Sequence, residues 1–374
     1  MKEIRMVDLK SQYQKIKPEI DSAIANVIDN TEFINGSQVK VFQQQLENYL
    51  SVKHVIPCGN GTDALQIALM TLGLKPGDEV ITADFTFAAT LEVIALLGLK
   101  PVIVDVSPST FNISAEGVRK ALTHRTKAII PVHLFGQCCD MDAIMKIAKE
   151  NSLVVIEDCA QAMGSKIKFE GDYKHAGTIG DMGCTSFFPS KNLGCYGDGG
   201  AIMTNDDALA QMCRALANHG MKVRYHYDFI GVNSRLDTIQ AAILCEKLKH
   251  LDEYNQARQS AASFYDNAFK DSKKIQVPFR NPRSTHIFHQ YTLVLDGVNR
   301  DGLKEYLQSK GIPAMVYYPI PLHSQKAYQY LGYKDGDFPV TEMLCKSVIS
   351  LPMHTELDRE QLEYITKSVL EFVS

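Results

Sequence analysis

Between residues 52 and 205 the chain repeats one pattern: a short apolar run, then a stretch with helical spacing, then another apolar run. The runs are His54–Pro57, Glu79–Ala83, Pro101–Asp105, Ala128–His133, Leu153–Asp158, Thr185–Phe188 and Ala201–Thr204. Several are rich in Val and Ile with little polar alternation, as befits strands covered on both faces. The segments between them carry apolar residues at helical spacing, as in Ala64, Leu65, Ala68, Leu69 and Leu72, closed by Gly73. Alternation of this kind predicts βα units around a mostly parallel sheet. A chain of 374 residues has room for one such α/β domain and a smaller one.

The pattern changes near residue 250. A helix over 234–250 places Leu236, Ile239, Ile243 and Leu244 on one face, and a charged, Gln-rich helix follows. Then come a strand (Gln290–Leu295), a helix (Arg300–Ser309), a strand (Ala314–Tyr318) and two more helices, the last opening on the capping pair Asp358 and Gln361. This predicts a large domain over residues 1–250 and a smaller α+β domain over 251–374.

Charge narrows the partners. The net charge is −4, so no basic face points to nucleic acid, and no Lys/Arg run points to a membrane surface. Met1 to Leu9 lacks the apolar stretch of a signal peptide, and no window reaches the roughly 18 uncharged apolar residues of a membrane span. The nine cysteines are odd in number and never in C-x-x-C spacing, so a metal site is not expected and Cys138–Cys139 reads as core filler. A reduced, cytoplasmic setting and a small-molecule or self partner are expected.

Three strings carry chemistry. In SFFPSKNLGCYGDGG, residues 186–200, Lys191 sits in a turn between Pro189 and Gly194. A lysine desolvated in such a turn has a lowered pKa and a free amine, able to attack a carbonyl carbon. Most lysines beside Pro and Gly are solvated loop residues, but two phenylalanines and a Gly-rich run set this one apart. In VVIEDCAQAMGS, residues 154–165, an apolar run ends in Glu157–Asp158, which puts Asp158 at the carboxyl edge where open α/β sheets bind ligands. A carboxylate there can keep a pyridine nitrogen protonated; a helix cap is an equal reading of that string alone.

In CGNGTDALQIAL, residues 58–69, a strand runs through Gly59, Gly61 and Thr62 into a helix, the setting of a phosphate site. The string also satisfies G-x-G-x-x-A, and Asp84 stands about where a dinucleotide's ribose acid falls. A nicotinamide dehydrogenase is therefore the sharp competitor, although it leaves Asp158 and Lys191 without a role. A pyridoxal-phosphate cofactor uses all three strings. Ser186 adds a hydroxyl toward a phosphate, and Phe87 is placed to stack on a ring or, more commonly for a phenylalanine, to fill core. Asn233 and Arg235 are polar candidates in GVNSRLDTIQAA, where Asn233 or Ser234 otherwise serves as a helix cap.

Taken in order, NGTDAL, TFAAT, EDCAQAMG, SFFPSKNLGCYGDGG, GVNSRLD and YYPIPLH (317–323) resemble the DegT/DnrJ-type nucleotide-sugar aminotransferases, from MVDLKSQY near the start to SLPMH at 350–354. The resemblance implies the aspartate-aminotransferase fold, type I among pyridoxal-phosphate enzymes. It implies that Lys191 bonds the cofactor and moves the proton, that Asp158 partners the pyridine nitrogen and that Gln161 contacts the 3′-oxygen. By the same resemblance Gly61, Thr62 and Ser186 cradle the phosphate and Phe87 stacks on the ring. Asn233 would reach the neighbouring subunit's phosphate in a homodimer with shared sites, and Arg235, Tyr317, Tyr318 and His323 would touch the sugar nucleotide. Glutamate is the implied amino donor, with pyridoxamine phosphate formed between two half-reactions.

Two positions depart from the family pattern, Tyr317 where His is frequent and Cys159 where Ala or Ser is. NSRLD with YPIPL is most similar to the members that aminate a 3-keto sugar, the UDP-2-acetamido-2-deoxy-3-oxo-glucuronate aminotransferases foremost. Three alternatives remain: a 4-keto aminotransferase, a same-family dehydratase with histidine in place of the lysine, and a pyridoxal-phosphate-binding regulator.

Overall fold

The computed structural model describes residues 2–374. Helices α1 (Leu9–Lys15), α2 (Lys17–Asp29) and α3 (Ser37–Leu50) precede an alternating series. In it β1 (His54–Cys58), β2 (Glu79–Ala83), β3 (Lys100–Val104), β4 (Thr126–Ile130) and β5 (Val154–Asp158) are linked by α4 (Gly61–Thr71), α5 (Ala88–Leu96), α6 (Ala115–Ala121) and α7 (Met141–Asn151). A hairpin, β6 (Lys166–Phe169) and β7 (Asp172–His175), comes before β8 (Met182–Ser186), β9 (Gly200–Thr204) and α8 (Asp207–Leu216). Seven of these strands form one sheet in the order β1-β9-β8-β5-β4-β2-β3. Only β9 runs against its neighbours, so the sheet is mostly parallel, as the alternation predicts.

Both faces of this sheet are covered. Val155, Ile81 and Ile129 belong to one core, while Ile156, Val80, Ala128 and Ile130 belong to the other. Successive residues of one strand thus feed opposite cores, which explains why the runs lack polar alternation.

Several boundaries differ from expectation. The run expected at Thr185–Phe188 pairs as Met182–Ser186 instead, because register with β9 ends at Ser186↔Gly200. Phe187 then packs edge-on against Phe42 at 5.3 Å and Phe188 is left 52% exposed. The Ala128–His133 run gives way at Pro131, which has no N–H to donate. The hairpin of β6 and β7 has no counterpart among the expected strands. It turns on Glu170 and Gly171, both at positive φ, as a two-residue hairpin requires.

After α8, β10 (Met221–Val223) and β11 (His226–Tyr227) make a small hairpin on which Val223, Tyr225, Tyr227 and Ile230 are exposed. Then α9 (Thr238–Leu248) leads into α10 (Leu251–Phe269). The expected helix over 234–250 starts late because 234–237 stays extended, leaving Ser234 free to bond elsewhere. A three-stranded antiparallel sheet follows, built from β12 (Ile275–Gln276), β13 (Tyr291–Leu295) and β14 (Val348–Leu351). Around it lie α11 (Arg300–Ser309), α12 (Pro339–Ser347) and α13 (Arg359–Val373). The strand expected at Ala314–Tyr318 does not form: Met315 makes one bridge to Ser350, on the edge of β14 away from β13. Asp358 and Gln361 do form a capping box on α13. Ile4, near the start of the chain, packs in the core of this second sheet. Among the described residues, no helix is long and apolar enough to cross a membrane.

Glu157 holds the sheet's carboxyl edge together from within. Its buried carboxylate accepts hydrogen bonds from His133 Nε2 (2.8 Å) and from the amides of Gly177, Ile179 and Gly180 (2.7–2.9 Å). His133 Nδ1 accepts from the Cys139 amide, which fixes the proton on Nε2. Burial alone would push the Glu157 carboxyl up, but these donors hold it below its ordinary range. Glu157→Ala strands all four donors, so the loss should be about 3–5 kcal/mol of unfolding free energy, measured by urea denaturation.

Candidate active site

Four strand ends meet at one edge. β1, β8, β5 and β2 are parallel, and their carboxyl ends deliver Gly61, Ser186, Asp158 and Phe87 to the same side of the sheet. Since β8 lies beside β5, with Cys184 opposite Asp158, Ser186 and Asp158 are close by construction.

Gly61 opens α4, and a Cβ on it would stand 2.7 Å from Ser186 Cβ. No side chain fits there. Asn60 caps the helix by accepting the Asp63 amide at 2.8 Å, and the Ala64 amide bonds the Asn60 carbonyl. Among the described residues the amides of Gly61 and Thr62 have no hydrogen-bond partner, and they lie beside the Ser186 hydroxyl. Two free N–H groups at a helix start with an adjacent hydroxyl form a cradle for a phosphate dianion.

Asp158 accepts from Thr90 Oγ1 at 2.7 Å and from the Ala160 amide at 3.1 Å. Each oxygen has one protein donor, so lone pairs remain for a ring N–H. Lys191 lies in the loop after β8, half-buried, its amide bonded to the Phe188 carbonyl. Burial pushes its ammonium down to about 8, against the pull of the Asp158 charge. Gln161 Oε1 accepts from the Phe135 amide, and its Nε2 donates to Tyr318 Oη at 3.1 Å. Tyr318 packs on Phe85 and Phe135, so the pocket has an aromatic wall. Phe87 is 59% exposed and is therefore not a core residue.

The other candidates are placed differently. Tyr317 is half-buried, 6.1 Å ring to ring from Tyr318. His323 is buried and pairs with Asp84, Nδ1 to Oδ2 at 2.6 Å, while its Nε2 meets Ser324 Oγ at 3.1 Å. Both ring nitrogens are thus occupied within the chain. Asn233 and Arg235 are exposed, and no hydrogen bond joins either side chain to Lys191, Asp158 or Ser186. Ser234 between them caps nothing: its hydroxyl accepts from the Gly59 amide and donates to Asp63, steadying the start of α4.

Two features of this geometry remove the dinucleotide alternative. β1 and β2 are not neighbours in the sheet, whereas the glycine fingerprint needs adjacent parallel strands around its helix. Asp84 is buried against His323 rather than offered to a ribose. The presence of lysine at 191 likewise removes the dehydratase alternative. Thr90 and Ser234 are the site residues the sequence reading missed. Both sit within the strings TFAAT and GVNSRLD, but only the fold reveals that each bonds a carboxylate.

The lysine, the carboxylate and the phosphate cradle on this doubly covered sheet define a fold-type-I aminotransferase. The model of the DegT/DnrJ/EryC1/StrS aminotransferase family matches residues 14–370, and the chain belongs to that family. It is 47% identical to a pleiotropic regulatory protein of Geobacillus stearothermophilus, over 99% of this chain and 98% of that one. It is 46% identical to the UDP-2-acetamido-2-deoxy-3-oxo-D-glucuronate aminotransferase of Pseudomonas aeruginosa, over 97% and 98% of the two chains. A crystal structure of a DegT DnrJ EryC1 StrS aminotransferase from Brucella abortus superposes with a TM-score of 0.94 at 42% identity, covering 99% of this chain and 100% of that one.

The depressed lysine gives a direct test. In the cofactor-free chain, reductive methylation of Lys191 should rise through pH about 8 rather than 10.5, since only the neutral amine reacts. Peptide mass spectrometry across a pH series reads the midpoint.

Proposed function

We propose that this aminotransferase uses pyridoxal 5′-phosphate to carry an amino group from glutamate to the ketone of a nucleotide sugar, at ring carbon C3. The observation that carries this reading is the grouping of Lys191 and Asp158 with the free first-turn amides of α4. Bound there, the cofactor supplies an aldehyde carbon to bond an amine and a pyridine ring to take up the electron pair released at the reacting carbon. Everything else falls to the protein. Lys191 forms the covalent anchor and, once displaced by the incoming amine, takes the proton from one carbon and returns it to another. Asp158, oriented by Thr90, keeps the ring nitrogen protonated. Gly61, Thr62 and Ser186 hold the phosphate, Gln161 and Tyr318 line the ring's polar edge, and Phe87 offers a face to stack on.

The sugar assignment draws on the 3-oxo substrate in the name of the Pseudomonas aeruginosa relative, together with NSRLD and YPIPL in this chain. Arg235, Tyr317 and Tyr318 are the proposed substrate contacts. His323, held by Asp84, would act by fixing the segment that carries Tyr317 and Tyr318. Asn233 and Arg235 follow an exposed apolar hairpin, which favours a second copy as its cover and a homodimer with shared sites. Nine buried, unpaired cysteines accord with the cytoplasm. The product would enter surface-polysaccharide or other amino-sugar synthesis.

Matched 3-keto and 4-keto nucleotide sugars supplied with glutamate decide the position, with NMR identifying the aminated carbon. The 3-keto substrate should be preferred about 100-fold or more, because a shifted ketone leaves buried polar groups unpaired; preferential amination at C4 would reverse the position. Lys191→Ala should abolish turnover and the visible absorbance of the bound cofactor, and survival of both would remove the reading itself. For the shared site, mixing Lys191→Ala and Asn233→Ala subunits should restore activity through hybrid dimers carrying one intact site. No recovery despite demonstrated subunit exchange counts against it.

A further inference from the structure

His289 stands in the bend that leads into β13. Its side chain is 7% exposed, and its ring Nδ1 has no hydrogen-bond partner. A buried polar nitrogen left bare is costly and calls for an explanation. The ring has little freedom to look elsewhere, because its segment is stitched down on two sides.

On one side the His289 amide donates to the Phe135 carbonyl and the Ile287 amide to the Gly136 carbonyl. Gly136, at φ +104°, makes this approach possible, since a Cβ there would lie 2.8 Å from Ile287 Cγ1. Phe135 in turn bonds Gln161 on the pocket wall. On the other side Asn192, next in the chain to Lys191, donates to the Ile287 carbonyl at 3.1 Å and to Asn255 at 2.7 Å. His289 is thus fixed between the pocket wall and the lysine loop.

The charged and titratable groups around it are few. The charges of Lys191 and of Arg258 on α10 both bear on the ring and, after burial, hold it neutral far below the ordinary histidine range. Arg258 donates to the carbonyls of Phe288, His289 and Met353, not to the ring. His286 on the same segment is also neutral, pushed down to about 3 by burial. Asp158 is the carboxylate whose charge reaches Lys191. A neutral imidazole whose Nδ1 is bare, on a segment tied to the residue after Lys191, has one evident use toward an amine that must be held when it is not bonded to cofactor.

We propose that His289 is a positioning residue for Lys191: its bare Nδ1 accepts a hydrogen bond from the Lys191 ammonium, directly or through one water, and keeps the free amine at the pocket. The inference rests on Lys191 being the reactive amine, but its test is read without turnover. An acceptor stabilises the charged form of lysine, so removing it should lower the pH at which Lys191 becomes reactive. In the cofactor-free full chain, His289→Phe should move the midpoint of Lys191 reductive methylation down by roughly one pH unit. His289→Gln, which keeps a neutral acceptor, should restore it.

An unchanged midpoint in a folded His289→Phe protein overturns the proposal, as does a His289→Gln protein that shifts as far as the phenylalanine variant. Should His289→Phe fail to fold, ¹⁵N NMR of the wild-type chain against Lys191→Met serves instead. The His289 Nδ1 resonance should move when the amine is removed, and an unmoved resonance overturns the proposal. Survival of colour and turnover in Lys191→Ala would remove Lys191 as the reactive amine and leave this titration result as it stands.

Discussion

The passage of Gly61 across Ser186, with no room for even a methyl group between them, is the contact on which the site depends. It presses the start of α4 against the end of β8, and the free amides of the first turn meet a hydroxyl there. β8 pairs with β5, so Asp158 is one strand spacing away, and the loop leaving β8 brings back Lys191. A side chain at residue 61 would part these elements at their junction. The first turn of α4, Ser186 and Asp158 are therefore one arrangement, with Lys191 on the loop that leaves it.

Neighbouring carboxylates at the end of β5 show how the same chemistry is divided by strand geometry. Glu157 and Asp158 point to opposite faces. Glu157 is saturated with donors and fully buried, and it closes the 177–180 turn and His133 around itself. Asp158 keeps spare lone pairs at the pocket. Lys191 is pulled two ways, toward neutrality by burial and toward its charge by Asp158. Burial wins, and the ammonium is pushed down to about 8 while the Asp158 charge still draws it to the site.

Much of this was legible in the sequence because the signals were local. Apolar runs marked the main strands, and the strings around Lys191, Asp158, Gly61 and Ser186 singled out residues that the fold sets at one sheet edge. What escaped was long-range. The strand at Met182–Ser186 is set by its pairing with β9 and not by its own hydrophobicity, so Phe187 and Phe188 misled. The stretch around Met315 meets the outer edge of β14 through Ser350 alone, a single bridge that no local pattern distinguishes from a strand. Thr90 and Ser234 lie in the strings TFAAT and GVNSRLD, and His289 in none of the strings singled out, but nothing in the sequence names the partner of any of them. Their roles come from partners at Asp158, Asp63 and the Lys191 loop, brought near only by folding.

The reversed strand β9 has a further consequence, for the order in which the molecule can be made. β1 pairs with β9 alone, Cys58 opposite Gly200, so on a ribosome the edge of β1 stays unpaired until residues 200–204 have emerged. Such late closure slows folding and leaves a strand edge open to other chains in the meantime. The three helices before β1 are synthesised first, and α3 packs beside β1. Glu47 of α3 accepts the Val55 amide of β1 at 3.0 Å, so one side of that strand is tied to α3 independently of β9.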